Sequence, residues 1–319
     1  MSAAPGRLQA SSHRSLQGEG TPAADAERPA LPQAFFLPTP AGQRFCVFHP
    51  PQGSPKGRVL YLHPFAEELN TTRRVVARQA RALAQAGFAV LQIDLLGCGD
   101  SEGEFSEASW EAWLQDAQHA HDWLRDRVPG PLWLWGMRSG SLLATALAPR
   151  LPQPTNLLLW QPVISGQQVL QQFLRLHAAG QWLDSNRDGN SNINGNEASN
   201  SKPGKPGKPA QTLAAGKAVD IAGYTLGPTL ASGLGAARMQ AMASPTPGQL
   251  VWLETSTQPE PTLSPASAAH LDSWRAAGCT VSAQAVSGAA FWQTVGTDEA
   301  AGLITATLRA LTTSVGPAA

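Results

Sequence analysis

The sequence is poor in cysteine and carries no net charge. Its three cysteines, Cys46, Cys98 and Cys279, are widely spaced and form no C-x-x-C motif. This usage is typical of a reduced compartment and does not suggest a disulfide framework. Lysine plus arginine and aspartate plus glutamate both total 23, so the formal net charge is +0 at pH 7. Since a balanced chain has no global field to attract polyanions, we expect no nucleic-acid partner.

Long apolar runs are also missing. No run of about 18 apolar residues occurs, which predicts that the chain has no integral membrane segment. Residues 1–30 lack the apolar centre of a signal peptide and are rich in alanine, serine, glycine, proline and charge. Such a segment cannot bury enough surface to order itself. The sequence therefore predicts a cytoplasmic protein with a disordered tail over residues 1–30.

Short apolar segments alternate with helical patterns along the middle of the chain. The apolar segments begin near Arg58, Phe88, Leu132 and Asn156, and each is continuous, as in strands buried on both faces of a parallel sheet. The apolar content rises from Phe35, and residues 43–49 alternate in polarity after a turn at residues 40–42, which predicts antiparallel edge strands. The pattern predicts an α/β fold with a doubly wound, mostly parallel sheet.

The regular alternation is interrupted after the fourth of these strands. Residues 31–165 are predicted to form the first part of the core and residues 246–313 its second part. Residues 166–245 are predicted to form a small helical cap, which contains a low-complexity insert at 185–210 rich in Asn, Gly, Ser and then Lys-Pro-Gly. Such an insert cannot build a core, so we expect a disordered loop there.

Residues 131–147 contain the central motif. A short apolar strand meets Gly136 and Gly140, and an Ala/Leu-rich helical pattern begins at once. Strand, tight turn and helix with this glycine spacing are typical of a nucleophile elbow, in which the residue between the glycines attacks the substrate. Here that residue is Arg138, and the nearby hydroxyls of Ser139 and Ser141 lie one and three positions too late.

Together with the His-Pro-Phe loop at residues 63–65 and the glycine-rich loop at 94–103, this turn resembles the α/β-hydrolase superfamily over about residues 33–313. Four stretches narrow the match: residues 63–74, 135–140, 222–230 and 291–294. Together they resemble the exosortase A system-associated hydrolase 2 family, encoded beside exopolysaccharide and protein-sorting genes in Gram-negative bacteria.

This resemblance implies a cytoplasmic accessory protein grouped with serine hydrolases. The implied activity is hydrolysis of an ester, thioester or amide in a small-molecule or acyl- or glycan-linked substrate. The implied partners are proteins of the exopolysaccharide and exosortase system. Neither a cofactor nor a metal is expected.

The catalytic positions fit this resemblance poorly. Arg138 stays protonated and has no attacking atom, and Ser139 could act only if the turn shifted by one residue. Residues 286–292, where the catalytic histidine belongs, contain none, and His270 precedes the last strand in a helical pattern expected at the surface. Glu254, at the end of a strand, is the candidate acid.

Other polar residues are candidates for binding. His63 and Phe65 lie where hydrolases shape the oxyanion loop, and Asp94 is expected to hold the glycine-rich loop through backbone amides. The pair Glu67 and Glu68 is either an exposed charged loop or a source of a partner for Arg138.

Arg138 would stand at the N-terminus of the elbow helix, which favours anions. We therefore expect it to hold a carboxylate or phosphate, supplied by a neighbouring glutamate or by a ligand. Two functions remain open from the sequence, a hydrolase and a non-catalytic accessory or anion-binding protein. Trp160, Trp182 and Trp292 could line the pocket.

Overall fold

The computed structural model describes residues 31–187, 208–241, 248–293 and 300–314. Its main element is an eight-stranded sheet with the order β1-β2-β4-β3-β5-β6-β9-β10. The strands are β1 Gln33–Thr39, β2 Gly42–His49, β3 Gly57–Leu62, β4 Phe88–Ile93, β5 Leu132–Met137, β6 Thr155–Trp160, β9 Gln249–Ser256 and β10 Thr280–Ser287. A separate hairpin, called the cap hairpin below, consists of β7 Val219–Ile221 and β8 Tyr224–Leu226.

The sheet has the predicted mixture of strand directions. β1 pairs antiparallel with β2, and β2 pairs antiparallel with β4. All later pairs, from β4–β3 to β9–β10, are parallel. Because the carboxyl ends of parallel strands lie at one edge, the loops after β3, β5 and β10 are brought to the same edge of the sheet. The prediction of a doubly wound, mostly parallel sheet is confirmed.

Helices cover both faces of this sheet, so its central strands are mostly apolar and buried. Leu60 and Leu62 belong to one core, which includes side chains of α2, α3 and α7. Val59 and Tyr61, the alternate residues of the same strand, belong to a second core with α1 and α8. The helices are α1 Glu67–Gln85, α2 Trp110–Arg125, α3 Gly140–Leu147, α4 Gly166–Arg187, α5 Lys208–Ala214, α6 Pro228–Ala236, α7 Pro265–Ala276 and α8 Ala301–Ser314.

Helix α1 begins before the residue that local sequence favours as its cap. Asn70 is of a type preferred at helix N-caps, but α1 begins at Glu67 and its N-cap residue is Ala66, with φ 50°. Glu67 and Glu68 therefore lie in the first turn, where carboxylates suit the helix dipole. The Asn70 side chain instead donates hydrogen bonds to Glu67 and Tyr224.

The region predicted as a cap contains α4, α5, the cap hairpin and α6. The insert predicted as a loop over residues 185–210 is helical at both of its ends, because α4 continues to Arg187 and α5 begins at Lys208. Residues 188–207 of this insert, like the predicted tail over residues 1–30, lie outside the described residues. The backbone N–H of Gly166 donates to the carbonyl of Ala237 at 3.0 Å, which joins the start of α4 to the end of α6.

The described part of the chain contains neither a helix suited to cross a membrane nor a cluster of metal-ligating side chains. None of its helices has the length and apolar character needed to cross a membrane. Within the same ranges, no three histidine, cysteine or acidic residues cluster as metal ligands.

Candidate functional site

The turn between β5 and α3 has the geometry of a nucleophile elbow. Its central residue is Arg138, whose φ of 52° lies in the left-handed region that costs energy for a residue with a side chain. Both glycines are required by space. A Cβ on Gly136 would lie 2.6 Å from the Cα of Ser141, and a Cβ on Gly140 would overlap the carbonyl oxygen of Leu62. The structure therefore places an arginine where the fold presents its nucleophile.

Arg138 is held by an ion pair with Glu68. Its Nε and Nη2 atoms both donate to Oε1 of Glu68, each at 3.2 Å. The side chains are 14% and 28% exposed, so the pair is largely shielded from water. Burial raises the pKa of Glu68, while the Arg138 guanidinium opposes that rise. The structure thus identifies Glu68 as the carboxylate partner that the sequence left open.

Trp292, in the loop after β10, forms a cluster with Arg138 and Glu68, called the elbow cluster below. The guanidinium carbon of Arg138 lies 5.3 Å from the centroid of the Trp292 ring, within the range of a cation–π interaction. The hydroxyl of Thr71 donates to the backbone carbonyl of Trp292 at 2.9 Å, which ties this loop to α1. No histidine follows His270 in the sequence. The loop after β10, which carries the catalytic histidine of a Ser-His-Asp triad in this fold, therefore contains Trp292 in this chain.

Ser139 is part of the helix start and does not take the place of Arg138. Its φ of −62° and ψ of −25° are helical, and its carbonyl accepts the N–H of Leu142 at 3.0 Å. The residue is 5% exposed. A one-residue shift of the turn would place Met137 and Ser141 at the positions that Gly136 and Gly140 now fill without clashes.

Glu254, the predicted acid, serves to hold α7. Its Oε1 accepts a hydrogen bond from Trp252 Nε1 at 2.7 Å and another from the Ser267 hydroxyl. Neither partner belongs to the elbow cluster. His270 lies on the same helix with its ring 6.0 Å from that of Trp252, so it is half-buried and the expected surface position is wrong.

His63 is a neutral residue that shapes a loop. Its Nδ1 lies 2.8 Å from the carbonyl of Pro64, and its Nε2 accepts the N–H of Leu95 at 3.3 Å. The residue is 2% exposed, and burial lowers its pKa. With both ring nitrogens bonded to backbone, His63 has neither a charge nor a free donor for an anion, so the expected anion-binding role is corrected.

Asp94 has the predicted structural role. Its Oδ2 accepts the backbone N–H of Asp100 at 3.2 Å and a hydrogen bond from Arg73 Nη2 at 2.9 Å. The hydroxyl of Ser101 donates to the Asp94 carbonyl at 2.5 Å. These bonds hold the glycine-rich loop and leave the carboxylate committed to the protein, so an anion-binding role for Asp94 does not hold.

A cleft of about 290 Å³ lies beside the elbow cluster. Glu68 and Trp292 line it, and both contact Arg138, which does not line it itself. The other lining residues come from the loop after β3, α1, α4, the cap hairpin turn and the loop after β10: Phe65, Ala66, Glu67, Thr71, Val169, Gln172, Phe173, Leu176, Ala222 and Gln293. Of the three tryptophans proposed for a pocket, Trp292 lines the cleft. Trp160 is fully buried and donates to Thr307, and the side chain of Trp182 lies outside the described residues.

The cap hairpin contacts a lining residue of this cleft, Glu67, through Tyr224. Its hydroxyl donates to Oε2 of Glu67 at 3.1 Å and accepts from Nδ2 of Asn70 at 3.1 Å. Its ring packs against Phe105, with 5.2 Å between centroids. Local sequence does not identify Tyr224 or Thr71 as part of the site, because both act through contacts between segments more than a hundred residues apart.

The strand order and the elbow define an α/β-hydrolase fold. Residues 53–198, slightly under half of the chain, match the family Hydrolase_4, described as serine aminopeptidase, S33. The match includes β3, the elbow and the start of the cap. The chain therefore has the α/β-hydrolase fold and is similar to Hydrolase_4 over this region, so the fold expected from the family resemblance is confirmed.

Two curated relatives match shorter segments. The lysophosphatidylserine lipase of Danio rerio is 36% identical over 94 residues, which are 29% of this chain and 23% of the lipase. An uncharacterized protein of Rickettsia prowazekii is 30% identical over 140 residues, or 42% of this chain and 57% of that protein. The chain thus spans less than two thirds of either relative.

Solved structures match over most of the chain. Est1E from Butyrivibrio proteoclasticus, solved with ferulic acid bound, is 13% identical with a TM-score of 0.59, covering 88% of this chain and 97% of its own. The alpha/beta hydrolase domain-containing protein 10 from mouse is 14% identical with a TM-score of 0.53, covering 89% and 100%. At these identities the likeness shows the fold alone.

Proposed function

We propose that this protein is a non-catalytic, ligand-binding member of its superfamily that serves an exosortase A system linked to exopolysaccharide production and protein sorting. The observation that carries the proposal is Arg138 at the strained elbow position, ion-paired with Glu68. A guanidinium stays protonated at neutral pH and cannot attack a carbonyl carbon. The elbow therefore serves to hold a cluster of side chains together.

The positions of the catalytic histidine and acid also depart from those of a working triad. Trp292 lies in the loop of the missing histidine, and Glu254 bonds to Trp252 and Ser267. A triad works through a base within hydrogen-bond reach of the nucleophile, and none is present beside Ser139 in the described residues. Three independent departures favour a site that binds without hydrolysing.

Four stretches carry the resemblance to the exosortase-associated family: residues 63–74, 135–140, 222–230 and 291–294. Each contributes a residue at or beside the elbow cluster. Glu68 comes from the first stretch, Arg138 from the second and Trp292 from the fourth, and Arg138 contacts both of the others. Tyr224, from the third, bonds to Glu67 beside them. Their convergence supports a shared task for this cluster in the proposed system, with its proteins as partners.

A second candidate function is hydrolysis of an ester, thioester or amide by Ser139. It is favoured by the position of Ser139 directly after the elbow residue, inside the matched family region, and by the lipase among the relatives. This activity requires a different turn conformation and a base from elsewhere.

Hydrolysis of p-nitrophenyl butyrate by the full chain separates the two functions. We expect no turnover above buffer, and the same result for Ser139→Ala. The matched control is Ser282→Ala, an exposed serine of β10. Turnover that persists in Ser282→Ala and disappears in Ser139→Ala would establish the hydrolase instead.

A further inference from the structure

We propose that the cleft beside Arg138 binds an apolar amine, a ligand with a hydrocarbon or aromatic body and an ammonium group. The inference rests on the proposed ligand-binding function and names the ligand class of the same site. An amine replaces the anion expected from the sequence, because Arg138 at the elbow is already paired with the carboxylate of Glu68.

The body of the ligand follows from the apolar wall. Val169, Phe173 and Leu176 lie on one face of α4, at the spacing of successive helical turns, and all three line the cleft. Leu176 is 49% exposed, one of three large apolar side chains so exposed in the described part of the chain. Phe65 closes the wall, with its ring 5.0 Å from that of Phe173 and perpendicular to it. Such a concave apolar surface fits an apolar ligand.

The charge of the ligand follows from the polar lining. The described lining residues include Glu67 and Glu68 but no lysine, arginine or histidine. Oε1 of Glu68 accepts both Arg138 donors, which leaves Oε2 without a described partner. Among the described residues, the partners of the Glu67 carboxylate are the neutral donors of Tyr224 and Asn70. The cleft therefore keeps one unmatched negative charge, which repels a carboxylate or phosphate and attracts an ammonium group.

The aromatic residues of the lining suit the same group. Phe65, Phe173 and Trp292 line the cleft together with the two glutamates, and aromatic ring faces attract organic cations. Trp292 provides a second observation that points to a ligand. It is 6% exposed, and its Nε1 is buried with no acceptor among the described residues. Because an unpaired buried donor is costly, we expect the ligand to carry an oxygen acceptor near its amine, as in an amino alcohol.

Calorimetric titration of the full chain with three probes of one chain length tests the charge. Octylammonium should bind about tenfold more tightly than octanoate, since an attractive contact with the acidic lining becomes repulsive, and octanol should lie between them. Equal or tighter binding of octanoate would overturn the proposal.

Two variants locate the effect. Glu67→Gln keeps the size and acceptor of the side chain and should weaken octylammonium binding about fivefold. Glu260→Gln, an exposed glutamate outside the cleft, changes the net charge equally and should bind like the unmodified protein. Identical affinities of these variants for octylammonium would place the amine elsewhere and reject the site.

The oxygen acceptor has its own test. N-octylethanolamine, which adds a hydroxyl to the amine, should bind more tightly than octylammonium, and this advantage should vanish in Trp292→Phe, which keeps a ring but lacks the N–H. An advantage retained in the variant would contradict the assignment to Trp292. Failure of these binding tests would leave the ester assay unaffected, whereas serine-dependent turnover would remove the proposed function itself.

Discussion

Arg138 donates two hydrogen bonds to a single oxygen of Glu68, across 70 positions of sequence. This contact joins the elbow after β5 to the first turn of α1. Ion pairs that are largely removed from water depend on both members, because the loss of one leaves a poorly solvated charge behind. The ion pair therefore explains why the strained elbow position can hold an arginine.

A double-mutant cycle of Arg138→Met and Glu68→Gln should show a coupling free energy of about 1–2 kcal/mol in denaturant unfolding. The estimate lies between the values for exposed and fully buried pairs, as the partial exposure of the two side chains requires. A coupling near zero would mean that the contact contributes nothing to holding the elbow.

The pair Arg150 and Glu111 provides the control for this cycle. Its N–O distance is shorter, 2.7 Å, but the side chains are 45% and 56% exposed. Water screens exposed pairs, so its coupling should be about 0.5 kcal/mol or less despite the shorter distance. Burial of the side chains, more than the N–O distance, should decide which ion pair contributes to the free energy of unfolding.

Gly140→Ala should destabilise the protein strongly, by about 3 kcal/mol or more, because the new methyl group would overlap the carbonyl oxygen of Leu62 in the central sheet. Gly288→Ala is the matched change, since its Cβ would lie 3.5 Å from the nearest atom of Thr255. Thermal unfolding of both variants checks the elbow geometry. Similar melting temperatures for the two would contradict it.

Acidification should destabilise the protein partly through His49. Burial, aided by Arg81, lowers the pKa of His49 to about 4, below the ordinary value of 6.5. The unfolded chain therefore binds a proton that the folded chain rejects as the pH falls from about 6.5 towards 4, and stability is lost in that window. Between pH 7 and pH 5 the loss from His49 should reach about 1–2 kcal/mol.

His49→Gln should lower this pH dependence, because glutamine does not titrate and can still bond to Gln92, whose Nε2 lies 3.1 Å from the histidine ring. Urea unfolding at the two pH values measures the difference. An unchanged slope in the variant would show that His49 does not contribute to it.

The sheet and the elbow could be predicted from sequence because both depend on local pattern. Continuous apolar segments marked β3 to β6, and the spacing of Gly136 and Gly140 marked the turn. The start of α1 was less predictable, since a good capping residue at Asn70 competed with a turn at Ala66 that depends on the surrounding loop.

The contacts of the site were only partly predictable. The pair Glu67 and Glu68 indicated that a carboxylate could reach Arg138, but nothing local distinguishes the two residues. Their side chains diverge in the fold, Glu68 to Arg138 and Glu67 to Tyr224. That choice depends on the path of the cap hairpin, which is set by contacts distant in sequence.

The central claim is that the elbow holds no activated serine. Incubation of the full chain with a fluorophosphonate, followed by intact mass measurement and peptide mapping, tests it without any assumption about the substrate, because the reagent labels activated serines. We predict an unmodified mass under conditions that fully label an active serine hydrolase. A stoichiometric adduct mapped to Ser139, and absent in Ser139→Ala, would contradict the account.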